Sequence, residues 1–134
     1  MPRAGVDAGR NTDDLGPMRR LILPLLLLAA PASADAPRVT DVVATPSDGG
    51  WRFDVTVAHA DTGWDHYADG WRVETEDGAE LGTRVLMHPH VTEQPFTRAL
   101  SGVAIPDGTA RVVVRAHDGV HGWGEGVTVE LPGR

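Results

Sequence analysis

The sequence has no cysteine in its 134 residues. Disulfides, thiolate metal sites and thiol nucleophiles are therefore excluded. Lysine is absent too: all 12 basic residues are arginine, so neither a Schiff base nor a lysine general base is available. Positive charge is scarce, with a formal net charge of -7, and there is no basic stripe of the kind that follows a nucleic-acid backbone. No serine lies in a Gly-x-Ser-x-Gly elbow. Long apolar runs are nearly absent; the one at Leu21–Ala30 falls short of the about 20 residues that span a bilayer. With so few nucleophiles and bases, the expectation is a protein that is not an enzyme.

Turn-forming residues are abundant, with 16 glycines and 10 prolines. Residues 1–17 carry no apolar period and read as a disordered extension ahead of a true start at Met18. Arg19 and Arg20 then form a basic region, Leu21–Ala30 an apolar one, and Ala32-Ser33-Ala34 a small-residue cleavage motif. Together these predict a secretory signal peptide over 18–34, cut after Ala34. The mature domain is then 35–134, periplasmic or secreted, with no membrane span.

That domain reads as short strands between turns. Val39–Thr45 is closed by Pro46-Ser47-Asp48-Gly49-Gly50. Over Trp51–His59 one face carries Trp51, Phe53, Val55, Val57 and His59, which is strand periodicity. Trp71–Thr75 alternates likewise, and Asp77-Gly78 is a hairpin signal returning through Leu81–Met87. Phe96–Ile105, Arg111–His117 and Val127–Leu131 complete seven strands. The expected fold is all-β, a single seven-stranded antiparallel sandwich.

Ala36-Pro37-Arg38-Val39-Thr40-Asp41-Val42, Gly70-Trp71-Arg72-Val73-Glu74, Leu100-Ser101-Gly102, Pro106-Asp107-Gly108-Thr109 and Val114-Arg115-Ala116 follow one another in an order that resembles the fibronectin type III pattern, an immunoglobulin-like sandwich. The likeness covers roughly residues 36–131. It departs from the pattern at His59, where the family usually has a core tryptophan, and at Ala110, where it usually has a tyrosine. HADTGWDHYADGW, HPHVTEQPFTR and RAHDGVHG also resemble a family of small exported bacterial proteins of unassigned activity. Modules of the fibronectin type III family usually serve adhesion or act as spacers.

Antiparallel order puts the loops after the second, fourth and sixth strands at one end. His59 and His66, His88 and His90, and His117 and His121 all fall there, and these are all 6 histidines of the chain. Asp61, Asp65 and Asp118 join them. Imidazole and carboxylate without thiolate suit Zn, Cu(II) or Ni, and Met87 could add a soft ligand. The spacing predicts one metal site from His59, His66, His117 and His121. Strand separation leaves His88-Pro89-His90 as its support or as a second site. Asp61, Asp65 and Asp69 do not match a calcium-loop spacing. Each histidine alone also fits a hydrogen-bonded strand cap, each Asp-Gly pair a turn, and Trp71 and Trp123 the core. The competing reading is a metal-free recognition module for protein, peptide or glycan. Trp64, Tyr67 and Trp123 would be its anchors, with Arg98 free to pair with Asp65 or Asp118.

Overall fold

The structure, a computed structural model, describes residues 36–133. The expected extension at 1–17 and the signal peptide at 18–34 lie outside the described residues. The described chain is all β, in two antiparallel sheets. One sheet runs β1 (Arg38–Ser47), β2 (Gly50–Ala58) and β5 (Phe96–Val103), in that order. The other has β4 (Glu80–Val85) at its edge, then β3 (Ala68–Glu74), then β6 (Arg111–Asp118). Both β7 (Gly122–Trp123) and β8 (Val127–Glu130) pair with β6. Among the described residues no helix is long and apolar enough to cross a membrane.

The strand number departs from expectation: among the described residues there are 8, not seven. Beyond β6 the chain doubles back at once, pairing His117 with Trp123 and Asp118 with Gly122. Gly122 takes φ +81°, a conformation open to glycine because it has no Cβ. Past Trp123, Gly124 N–H still donates to Ala116 O at 2.7 Å, and regular pairing with β6 resumes in β8. A two-residue strand carries too little alternation to be read from sequence.

Side-chain alternation builds the core. On β2, Trp51, Phe53, Val55 and Val57 point inward while Arg52 is exposed. On β6, Val112, Val114 and Ala116 do the same. Trp71 and Val73 of β3, Leu86, Phe96 and Val103 fill the space between the sheets. Full burial of side chains such as Phe53 and Trp71 is worth roughly 1.5–3 kcal/mol each. The same alternation carries on past the apolar residues. His59 takes the next inward position after Val57, and Asp118 the next after Ala116; both are buried. At this end of the sandwich each sheet thus finishes its inward row with a polar residue.

Candidate functional site

Asp118 is the hub. Its carboxylate is fully buried and uses its two oxygens differently. Oδ1 accepts the backbone N–H of Val120 at 2.9 Å and that of His121, the turn chemistry expected of an Asp-Gly pair. Oδ2 meets three imidazole nitrogens: His59 Nε2 at 2.9 Å, His66 Nε2 at 3.0 Å and His121 Nδ1 at 2.9 Å. Burial pushes this carboxyl's pKa up. Hydrogen bonds from the His121 backbone and ring, from His66 and from Val120 outweigh that and hold it far below the usual carboxylate range. The group is an anion with three rings turned toward one oxygen.

His59 reaches the hub from the opposite sheet. Its side chain is fully buried, with Asp118 on one ring nitrogen and Asp61 Oδ1 on the other, Nδ1, at 2.5 Å. A neutral imidazole has one N–H and can donate to only one of these carboxylates. The other nitrogen then faces a carboxylate oxygen lone pair to lone pair, unless a proton or a metal cation lies between them. Asp61 has further partners: Oδ1 accepts Ala68 N–H at 3.0 Å, and Oδ2 accepts His90 N–H at 2.7 Å.

His66 is placed by a tight turn. Thr62 N–H donates to His66 O at 3.0 Å, and His66 N–H donates to Gly63 O at 3.2 Å. Gly63 has φ +146°, again in the region that favours glycine. The turn exposes Trp64 and Asp65 at its tip and sends the His66 ring back over the hub, 4.7 Å from the His59 ring and 5.0 Å from the His121 ring. His66 and His121 keep 20% and 36% of their side-chain surface in solvent. The cluster is therefore closed on the core side and open on the loop side.

The remaining candidates fall elsewhere. His117 does not join the cluster: it precedes Asp118 on β6, and successive strand residues point to opposite faces. It lies on the outer face, with Nδ1 2.5 Å from Asp69 Oδ1, its ring 4.7 Å from that of Trp123, and Arg72 stacked 4.1 Å over Trp123. Of the expected set His59, His66, His117 and His121, the structure brings His59, His66 and His121 together around Asp118, also expected at this site, while His117 faces away. His90 is buried and stacked on Phe96 at 3.9 Å. Arg98 donates to its Nε2 at 3.0 Å, so that lone pair is taken. Burial, then the Arg98 cation and His88, lower its pKa, which keeps it neutral. His88 is exposed, its ring 4.7 Å from that of His90. Met87 is 73% exposed. Arg98 pairs with His90 and Glu93 rather than with Asp65 or Asp118. Trp64 stands 69% exposed, edge-on to Tyr67 at 5.6 Å.

Gln94 was not legible as a site residue. Its Oε1 accepts the His59 N–H at 2.9 Å, and its Nε2 donates to His90 O at 2.9 Å. The one available signal was that it is the chain's sole glutamine. Among the described residues, the set whose ligand atoms all lie within 4.8 Å of one another is His59, His66 and Asp118, with His121 Nδ1 hydrogen-bonded to the same Asp118 oxygen.

No family model matches the chain, and no solved structure does. A curated protein of Halomicrobium mukohataei described as "Putative lipoprotein" is 53% identical over 72 residues, which make up 54% of this chain and 35% of that relative. The chain thus spans about a third of the length of the curated relative it matches.

Proposed function

We propose that this is an exported β-sandwich that binds a divalent transition-metal ion, Zn or Cu(II), through His59, His66, His121 and Asp118. The observation that carries the reading is the convergence of three imidazole nitrogens on Asp118 Oδ2. Hydrogen bonding explains this poorly, since a carboxylate oxygen has two lone pairs for three rings. A cation explains it well. Tetrahedral ligands about 2.0–2.1 Å from zinc lie about 3.3 Å apart; the nitrogens stand 2.9–3.0 Å from Asp118 Oδ2, and the ligand atoms of His59, His66 and Asp118, spread over as much as 4.8 Å, would draw together around an ion. A set of nitrogen and oxygen donors without sulfur suits Zn and Cu(II) over Cu(I). Four protein ligands make a closed site of the structural type, so no catalytic role is assigned.

Export is supported by the leader-like pattern at 18–34 and by the relative's description as a lipoprotein. The order of the two sheets is in keeping with a fibronectin type III-like sandwich. A second reading, a metal-free recognition module for protein, peptide or glycan, is favoured by Trp64, 69% exposed on the turn that carries His66. Elemental analysis of the purified protein, followed by Zn and Cu(II) titration, separates the two. Stoichiometric metal with submicromolar affinity, lost in His66→Ala, is the expected result. A folded protein that binds neither ion would leave the recognition module.

A further inference from the structure

The Asp118 cluster is wrapped on its buried side by a closed ring of hydrogen bonds. His59 N–H donates to Gln94 Oε1 at 2.9 Å. Gln94 Nε2 donates to His90 O at 2.9 Å. His90 N–H donates to Asp61 Oδ2 at 2.7 Å. Asp61 Oδ1 returns to His59 Nδ1 at 2.5 Å, closing the circuit. His59 is thus gripped at both ends, its backbone by Gln94 and its ring by Asp61. Asp61 is itself held in place, being 5% exposed and also bonded to Ala68 N–H at the start of β3.

We infer that Asp61 is the positioning residue of the metal site, making Nε2 the ligand atom of His59 and fastening the His88–Pro95 segment to that ligand. The inference rests on the metal reading above and adds a division of labour between two buried carboxylates. Asp118 Oδ2 lies among the imidazole nitrogens and belongs to the ion. Asp61 is engaged elsewhere, Oδ1 by the His59 ring and Ala68 N–H and Oδ2 by His90 N–H, and it stands outside the set His59, His66 and Asp118 whose ligand atoms converge. Holding a proton on Nδ1, it leaves Nε2 as a lone pair aimed at the hub. A carboxylate behind a metal-bound histidine fixes the tautomer, orients the ring and raises its basicity. The ring also accounts for HPHVTEQP, a stretch the metal reading leaves unused. Its histidine rings ligate nothing, and its backbone at His90 and side chain at Gln94 brace the ligand.

Two measurements decide this. The first is a two-dimensional ¹H–¹⁵N spectrum of the histidine rings in the Zn-loaded wild type. The expected pattern for His59 is a protonated Nδ1 and a metal-bound Nε2. Metal on Nδ1, or no metal on His59, would overturn the inference. The second is the Zn dissociation constant of Asp61→Asn, read by chelator competition beside wild type, with His90 amide exchange followed in both. A loss of roughly 10–100-fold is expected, the usual cost of removing such a partner. His90 amide protection should rise on Zn binding in the wild type and fail to do so in the variant. A folded Asp61→Asn that binds Zn as tightly as wild type sinks the positioning role while the metal site stands. Should the variant not fold, the wild-type ring spectrum decides alone. A wild type that binds no Zn ends both readings together.

Discussion

Asp118 and His117 are neighbours in sequence and strangers in space. One faces the core, the other the outer surface of the same sheet, and that split gives a sharp test at single residues. His66→Ala and His121→Ala each remove a nitrogen that lies 2.9–3.0 Å from the hub oxygen. Their Zn affinity should fall by more than the roughly 10–100-fold that loss of a supporting partner costs. His117→Ala, whose ring answers to Asp69 and Trp123, should lose less than the roughly tenfold that removing even an outer-shell partner costs. Isothermal titration of the three variants checks the pattern, and equal losses in all three would return His117 to the site. The sequence pointed to this end of the molecule because every histidine sits in or beside one set of loops. Strand alternation sets His59 on the inward face with Val55 and Val57, but it does not place the loop histidines His66 and His121. Asp118-Gly119 reads as a turn, and so it is through Oδ1. The second role, through Oδ2, depends on β6 staying regular for one residue past His117, where the sequence places the strand end.

Among elements, the strands carried the clearest signal. Trp51 to His59 alternates strictly in sequence and in burial, so β2 was legible to within a residue. Its core role predicts that Phe53→Ala costs about 3–5 kcal/mol in urea unfolding. The outer face of β3 and β6 was less legible, because charged residues on a strand look solvent-facing. Glu74 is only 2% exposed, held by Arg72 Nε at 2.6 Å and Arg115 Nε at 3.0 Å. Burial pushes its pKa up, but the hydrogen bonds and charges of Arg115 and Arg72 prevail and hold it below the usual carboxylate range. A carboxyl depressed in the folded state stabilises the fold above its unfolded pKa. That share is lost as pH falls below about 4.3 through the lower folded value. Glu74→Gln should therefore lose about 1–3 kcal/mol at pH 7, and its stability should fall less steeply than wild type as pH drops below about 4.3. Urea melts at stepped pH would show it; parallel acid limbs in the two proteins would count against the pair.

For the molecule as a whole, the ion would bridge the two sheets, since His59 follows β2 and Asp118 ends β6. Binding to the folded state alone stabilises by mass action, about 4 kcal/mol at a thousandfold excess over Kd. For a domain of about 100 residues that is a rise of roughly 15–30 °C in Tm, at about 4–8 °C per kcal/mol. Thermal melts with Zn and with EDTA would read it, and overlapping curves would exclude a metal held by both sheets. The separation of the ligands along the chain has a kinetic consequence. His59 and His66 form one local pair and Asp118 and His121 another, while the contacts joining them span 59 and 52 residues. An unfolded chain offers two distant half-sites, and bringing them together carries the entropy cost of closing a long loop. The sandwich must meet that cost first, by pairing β3 with β6 and packing one sheet on the other. Loading is then a late event, and Zn should lengthen the life of the folded protein far more than it hastens refolding.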